Sequence, residues 1–273
     1  MANSSTITPR IDFARELAGL YDLSGKVAFI PGGYGGIGEA IAWALALAGA
    51  KIVVAGRNRD KAEALASALR AANCEAQGIA LDVHSVGEIR AATDAAADAY
   101  GCLDILVNCV GIQREEALAD VTEDAYDEVY RVNLKAAMFL AQAAAKRQVA
   151  GRHGGRQVHL LSVRSHLGLR KRGYSAYCST KGALVMLIKQ HAMELAPEGI
   201  TVNGVAPTFV YTELIRHVME NDAFRRQLLE RIPLGRIADP KDVAGPAMFF
   251  CAPASGFVTG QVLYVDGGIT ASQ

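Results

Sequence analysis

The stretch KVAFIPGGYGGIG, residues 26–38, decides the fold of this chain. Residues 26–30 form a short apolar run, and the glycine-rich turn after them leads into residues 39–48, an alanine-rich segment typical of a buried helix. Glycines between a strand and a helix allow a sharp turn and let a phosphate approach the free N–H groups of the helix. The stretch therefore predicts the strand, turn and helix that open a nucleotide-binding sheet.

The same alternation of apolar runs and helical segments continues along the chain. Further strands are predicted over residues 51–55, 76–81, 103–108, 157–161, 201–206 and 262–265, and helices over residues 60–72, 86–100, 122–150 and 175–195. Uninterrupted apolar runs such as Ile52-Val53-Val54 are typical of a parallel sheet buried on both faces. We therefore predict an α/β fold: a doubly wound, Rossmann-type parallel sheet of about seven strands with helices on both faces.

Length and composition predict a single domain. The 273 residues, 51% of them hydrophobic, suffice for the core of one large α/β domain. We assign residues 25–273 to a single Rossmann-type dinucleotide-binding and catalytic domain, and residues 1–24 to an N-terminal arm with a short helix over residues 11–20. Acidic and basic residues balance at 28 each, so no overall charge favours nucleic acid or a membrane surface.

The cysteines predict a reducing compartment and no metal site. All five are scattered, and none lies in a CxxC pair, which argues against both a disulfide framework and a zinc site. Residues 1–8 are polar, and no stretch reaches ~18 uninterrupted apolar residues. We therefore expect a cytoplasmic protein that binds a small molecule rather than a membrane.

Tyr177 and Lys181 stand one helical turn apart and share a helix face. An ammonium group near a phenol favours the ionised form of the phenol, whose pKa is ordinarily about 10. A tyrosine tuned in this way can act as an acid or a base. Ser162 follows the predicted strand at residues 157–161 and is a candidate to bind the same substrate oxygen. Taken alone, the pair fits equally well a tyrosine packed beside a solvated lysine.

The order of these features resembles the short-chain dehydrogenase/reductase family from Leu23 to Gly268. The family's T-G-x-x-x-G-I-G falls at residues 31–38, its N-N-A-G at residues 108–111 and its P-G-x-x-x-T at residues 207–212. The chain departs from these motifs at four positions, which hold Pro31, Cys109, Val110 and Thr208. None of the departures removes a proton-transfer group, but they alter the glycine turn and the nicotinamide pocket.

The resemblance implies a catalytic tetrad of Asn133, Ser162, Tyr177 and Lys181. In it, Tyr177 exchanges a proton with the substrate oxygen, Ser162 orients that oxygen, and Asn133 positions a water. Lys181 lowers the pKa of the tyrosine and holds the nicotinamide ribose. The spacing from Ser162 to Tyr177 is longer than usual in the family, so Ser165 is an alternative for the serine role.

The resemblance also implies a bound dinucleotide. Its contacts are expected from the strand ends and turns that carry Gly32, Tyr34, Gly35, Gly36, Ile37, Gly38, Arg57, Asn58, Asp82, Val83, Asn108, Val110, Gly111, Tyr177, Lys181, Pro207, Val210 and Thr212. A carboxylate at the end of the second strand would select NAD, but Gly56 stands there and is followed by Arg57. A guanidinium group can pair with a 2′-phosphate, which favours NADP over NAD. The alternative is that Arg57 merely begins a solvated turn.

Residues 111–114, 162–168 and 263–269 are most similar to the gluconate 5-dehydrogenase branch of the family. This similarity implies an oxidoreductase that interconverts a secondary alcohol and a ketone, on a sugar acid or a related polyol or ketose. Arg114, Arg164 and His166 could bind a substrate carboxylate, or could be solvated loop residues.

The same sequence features are compatible with two other functions. Reduction of a 3-oxoacyl thioester would use a basic patch for an acidic carrier, for which residues 170–172 are a candidate. A dinucleotide-sensing regulator without catalysis would not need the complete tetrad. The family resemblance further implies a homotetramer, built through the helices of Asn133 and Tyr177 and the last strand, with a helical lid over residues 210–231.

Overall fold

The computed structural model describes residues 13–216 and 221–271. Its centre is a seven-stranded, wholly parallel sheet in the order β3-β2-β1-β4-β5-β6-β7. The strands are β1 Val27–Pro31, β2 Lys51–Gly56, β3 Ala76–Ala80, β4 Ile105–Asn108, β5 Gly155–Leu160, β6 Ile200–Pro207 and β7 Val262–Val265. The predicted Rossmann-type fold is therefore confirmed, with each strand within a few residues of its expected place.

Helices cover both faces of the sheet. In the described part of the chain they are α1 Phe13–Ala18, α2 Gly36–Leu47, α3 Arg59–Ala71, α4 Val86–Tyr100, α5 Glu123–Tyr130, α6 Ala136–Gly151, α7 Ser175–Leu195, α8 Asp222–Leu229 and α9 Pro240–Cys251. Side chains such as Ile41 and Leu65 join α2, α3 and α9 to one face. Leu140 and Ile188 belong to the clusters that join α4, α6 and α7 to the other. Each large apolar side chain buried in this way contributes about 1.5–3 kcal/mol to folding.

The single helix expected over residues 122–150 is interrupted. Between α5 and α6 the backbone forms a π-helical turn, Arg131–Lys135. The side chain of Asn133, in this turn, accepts a hydrogen bond from the Ile112 amide and donates one to the Ile112 carbonyl, at 2.8 Å and 2.9 Å. Such turns are frequent at functional sites. The wider turn directs Asn133 towards the carboxyl ends of the strands.

Two other predicted segments are only partly described. The arm helix expected over residues 11–20 is α1, while residues 11 and 12 lie outside the described residues. The end of the arm packs on the domain, because Leu23 is 1% exposed and its amide donates to the Ala48 carbonyl at 2.9 Å. The expected lid over residues 210–231 contains a 3₁₀ turn, Glu213–Ile215, and α8, with residues 217–220 outside the described part.

Among the described residues, no helix combines the length and apolarity that crossing a membrane requires. The same residues contain no cluster of three histidine, cysteine, aspartate or glutamate side chains that could hold a metal ion.

Candidate active site

A cleft of about 1190 Å³ opens at the carboxyl ends of the strands. It lies where the strand order reverses, with β1 between β2 and β4, which is the usual ligand site of doubly wound sheets. Its walls come from the glycine turn after β1, the loop after β4, and the ends of β5 and β6. The expected cofactor residues that line it are Gly32, Tyr34, Gly35, Gly36, Ile37, Gly38, Arg57, Val83, Val110, Gly111, Tyr177, Lys181, Pro207 and Thr212.

The glycine turn fits a pyrophosphate. A Cβ atom on Gly38 would lie 2.6 Å from the Gly32 carbonyl oxygen, and one on Gly36 would lie 2.7 Å from Thr212 Cγ2, so the turn tolerates no side chain at either position. Helix α2 begins after Gly35 without a side-chain cap, whereas asparagine or hydroxyl side chains cap α3, α4, α5 and α8. The first N–H groups of α2 are thus left for a bound anion.

Four expected cofactor residues do not line the cleft: Asn58, whose side chain caps α3, and Asn108, Asp82 and Val210. Asn108 is buried, and its side chain accepts a hydrogen bond from the Val110 amide at 3.1 Å, which shapes the loop after β4. Asp82 pairs with His84 at 2.6 Å, and bonds from His84 lower the pKa of its carboxyl. Val210 is buried and forms an isolated bridge with Ala238.

Three of the four tetrad residues, Ser162, Tyr177 and Lys181, line the cleft, and Asn133 lies beside Gly111 of its wall. Lys181 is 3% exposed, and its Nζ donates to the Leu160 carbonyl at 2.8 Å and lies 5.6 Å from the centre of the Tyr177 ring. A Cβ atom on Gly111 would lie 3.6 Å from Lys181 Nζ and 3.7 Å from Asn133 Oδ1. Thr180, on the same helix, accepts a bond from the Asn133 amide at 3.3 Å. Helix α7 therefore fixes the position of Lys181 relative to the π-helical turn that carries Asn133.

The hydrogen bonds favour Ser162 over Ser165 for the serine role. Ser162 caps a 3₁₀ turn, its Oγ accepts a bond from the Arg164 amide at 3.2 Å, and its hydroxyl interacts with the Tyr177 phenol. Ser165 donates its own proton to the Ser162 carbonyl at 2.7 Å and lies 3.3 Å from the Tyr264 hydroxyl. Ser162 lines the cleft.

The pKa of Tyr177 differs from the sequence-based expectation. Burial raises the pKa of this phenol to about 12, although the nearby Ser162 hydroxyl favours its ionised form. Burial also lowers the pKa of Lys181 to about 8. Desolvation disfavours charge on both groups, so in the free protein it outweighs the attraction between ammonium and phenolate. The expected lowering of the tyrosine pKa by Lys181 is therefore absent in the free protein.

The three basic residues proposed for substrate binding do not line the cleft, and they have different surroundings. Arg114 is exposed and forms a two-pronged ion pair with Glu128, at 2.7 Å and 2.9 Å. His166 is exposed, and its ring packs against that of Tyr264 at 5.9 Å. Arg164 is only 5% exposed, and its Nη1 donates to the carbonyls of Leu167 and Gly168.

The cleft contains polar groups that the sequence motifs did not single out. The Gln113 amide nitrogen lies beside the Tyr174 hydroxyl but makes no hydrogen bond of ordinary geometry, and the Thr208 hydroxyl also has no partner within the described chain. Both are buried and line the cleft. No sequence motif identifies these two residues, because only the folded structure shows that they line the cleft.

Comparisons with known proteins agree with this geometry. A family model described as "Enoyl-(Acyl carrier protein) reductase" matches residues 33–270. The 5-keto-D-gluconate 5-reductase of Escherichia coli (strain K12) is 34% identical over 92% of this chain and 97% of its own length. The gluconate 5-dehydrogenase of Gluconobacter oxydans (strain 621H) is 35% identical over 93% of this chain and 98% of its own length.

A solved structure extends the likeness to three dimensions. The gluconate 5-dehydrogenase from Burkholderia cenocepacia J2315, crystallised in complex with NADP and tartrate, has a TM-score of 0.89 and 38% sequence identity. The alignment covers 94% of this chain and 100% of that structure. With its parallel sheet, its glycine turn and the Ser162, Tyr177 and Lys181 cluster, this chain belongs to the short-chain dehydrogenase/reductase family of oxidoreductases.

Proposed function

We propose that this protein interconverts a secondary alcohol and a ketone with NADP(H), on a sugar acid or a related polyol or ketose. The observation that carries the proposal is the placement of Ser162, Tyr177 and Lys181 in one wall of a cleft whose glycine turn fits a dinucleotide. The names of the relatives, which act on gluconate and ketogluconate, support the substrate class.

The chemistry follows from charge that develops on the substrate oxygen. The bound cofactor supplies or accepts a hydride at the carbon of the carbonyl group. During reduction, negative charge grows on the oxygen, and Tyr177 donates its phenolic proton there while Ser162 donates a hydrogen bond. Because burial raises the pKa of Tyr177 to about 12, the phenol stays protonated near neutral pH.

Asn133 and Lys181 take supporting roles in this proposal. Lys181, which lies beside Tyr177 and donates to the Leu160 carbonyl, would hold the nicotinamide ribose hydroxyls. Asn133 keeps the loop at Ile112 in position through two main-chain bonds and would position a water for proton transfer.

The preference for NADP rests on the end of β2. Gly56 offers no carboxylate to a ribose 2′-hydroxyl, and Arg57 is exposed at the edge of the cleft. The Burkholderia relative was crystallised with NADP. Arg57 and Asn58 would hold the 2′-phosphate by charge-assisted hydrogen bonds, and NAD would bind less well.

The substrate class is supported by unpaired polar groups in the cleft. Within the described residues, the Gln113 amide has only a poorly aligned contact with Tyr174 and the Thr208 hydroxyl has no partner, and a polyhydroxy compound would supply hydrogen bonds to both. Arg164 lies outside the lining of the cleft, as a buried cation near Tyr174 and Tyr177 that donates to two carbonyls but is acted on by no carboxylate of the described residues. Because buried guanidinium groups are ordinarily paired with an anion, we propose Arg164 as the contact for a substrate carboxylate.

Replacing Arg164 by glutamine should raise KM for anionic substrates about 10-fold or more, because one charge-assisted contact is lost. Turnover of a neutral ketose or polyol should change less than about twofold. Steady-state kinetics on one acid and one neutral substrate measure this split. The matched control is Arg170→Gln, an exposed arginine of the same loop. Equal losses on both substrates would assign Arg164 to the structure of the loop instead.

Reduction of an acyl thioester on a carrier protein is less well supported. The basic run at residues 170–172 was the candidate docking patch, but Arg172 is already paired with Glu115. The patch therefore offers less free positive charge than its sequence suggests.

The assembly and location proposed are a homotetramer in the cytoplasm. Large apolar side chains remain exposed on α6 and α7, including Met138, Met186 and Met193, at 39%, 62% and 64%. A groove between α5, α6 and α7 adjoins them and contains Leu134, Phe139 and Leu187. Contiguous apolar surface of this kind marks an interaction site, which supports association through these helices.

The overall function is tested by turnover across a substrate panel with each cofactor. Sugar acids, ketoses, steroids and acyl thioesters should be assayed with NADPH and NADH. We expect the highest kcat/KM on a sugar acid or ketose, with NADPH preferred about 10-fold or more, the effect of one phosphate pairing. Tight NADPH binding without turnover on any of them would favour a sensor.

A further inference from the structure

Tyr34 occupies an unexpected place in the glycine turn. Its hydroxyl oxygen accepts a hydrogen bond from the backbone amide of Asn58 at 3.1 Å. Asn58 is the N-cap of α3, so its amide lies at the positive end of that helix, beside Arg57. The side chain of Tyr34 thus crosses from the turn after β1 to the end of β2.

The ring of Tyr34 lies directly on Gly56. A Cβ atom added to Gly56 would be 2.3 Å from Tyr34 Cε1, 2.8 Å from Cζ and 2.9 Å from the hydroxyl oxygen. These three are the nearest heavy atoms, and the φ angle of Gly56 is one that other residues adopt readily. A side chain at position 56 would therefore have to displace the Tyr34 ring from this place. Space that the sequence suggested was open for a 2′-phosphate is partly filled by this ring.

The Tyr34 hydroxyl keeps its own proton available. In the described part of the chain, this hydroxyl acts only as an acceptor, from Asn58. It borders a surface pocket whose other walls are Arg57, Asn58, Arg59 and Asp60, and also lines the dinucleotide cleft. An O–H group that accepts a bond from an amide is polarised and becomes a better donor.

We propose that Tyr34 is a specificity-determining residue for the cofactor: its hydroxyl donates to the 2′-phosphate beside Arg57, and its ring keeps that position only while residue 56 has no side chain. In this arrangement the Asn58 amide donates to the Tyr34 hydroxyl, and the Tyr34 hydroxyl donates to the phosphate. A carboxylate at position 56, the usual means of selecting NAD, is incompatible with Tyr34 in this place. This inference rests on the NADP(H) preference proposed above.

The test measures binding rather than turnover. Dissociation constants are determined for 2′,5′-ADP, which carries the 2′-phosphate, and for 5′-AMP, which lacks it. Tyr34→Phe keeps the ring and removes the hydroxyl, so it should weaken 2′,5′-ADP about 10-fold, the loss expected for one bond to a charged group in an open site. Its affinity for 5′-AMP should stay within about twofold. Unchanged 2′,5′-ADP binding in this variant would overturn the hydroxyl's role.

A double-mutant cycle tests the link between the ring and Gly56. Gly56→Ala should weaken 2′,5′-ADP about 10-fold or more, because the methyl group displaces Tyr34, but should cost less than about twofold when added to Tyr34→Ala. Thermal unfolding of each free variant confirms that all are folded. Equal effects of Gly56→Ala in both backgrounds would refute the coupling. If wild type binds 5′-AMP as tightly as 2′,5′-ADP, the proposed NADP preference itself fails.

Discussion

Replacing Tyr177 by phenylalanine should lower kcat by about 1000-fold or more and leave the Kd for NADPH within about twofold of wild type. The substitution deletes one oxygen and keeps the ring, which packs edge-on against Tyr174 at 6.0 Å between centres. Without the hydroxyl, the oxygen of the substrate loses its proton donor just as its negative charge develops. Single-turnover reduction and fluorescence titration of NADPH separate the chemical step from binding.

A matched control comes from a tyrosine remote from the cleft. Tyr100 ends α4 and stacks under Lys51, so Tyr100→Phe removes a hydroxyl from a partly buried ring without touching the site. It should keep wild-type turnover. If Tyr177→Phe retained more than about a tenth of wild-type kcat, proton donation by this residue would be excluded, since general acid catalysis contributes about 100- to 10,000-fold.

The fold was predictable because its signals are local. The glycine turn at residues 31–38, the apolar strands and the alanine-rich helices each depend on residues close together in sequence. The break in the helix at Asn133 was not predictable as a π-helical turn. It depends on two bonds to the main chain of Ile112, 21 residues earlier, and on Thr180, 47 residues later. No periodicity within the helix encodes these partners.

The site shows the same division between local and distant determinants. The spacing of Tyr177 and Lys181 correctly indicated a shared helix face, but the direction of the tyrosine pKa depends on burial by the whole fold. Arg114 and Arg164 looked equivalent in sequence. The structure pairs the first with Glu128 and buries the second without a carboxylate from the described residues. Likewise, Gly56 is in contact with the ring of Tyr34, 22 positions away along the chain.

Replacing Lys181 by methionine should lower kcat about 100-fold or more and, near pH 7, make the free protein more stable. Burial holds the pKa of Lys181 at about 8 instead of 10.5, so charging it in the folded state costs at most about 3 kcal/mol. Methionine removes that cost but leaves the Leu160 carbonyl without its donor, a loss of about 1–2 kcal/mol. The net gain expected at pH 7 is therefore about 1–2 kcal/mol, measured by urea unfolding.

The pH dependence distinguishes this cause from better packing by methionine. Between pH 8 and 10.5, the unfolded lysine still carries a proton while the folded one has lost it, so the unfolded state binds more protons. The stability contributed by this position in wild type therefore rises with pH across that window, and the advantage of Lys181→Met should shrink, vanish and become a deficit of about 1–2 kcal/mol, the lost hydrogen bond to Leu160. Lys189→Met, which replaces an exposed lysine of the same helix, should show no such trend.

A stability difference between wild type and Lys181→Met that stays constant from pH 7 to 10.5 would mean that burial of the Lys181 charge does not destabilise the protein. Lys181 would then be a structural residue. A bound cofactor can offset the cost of burying the lysine charge only if that burial destabilises the free protein.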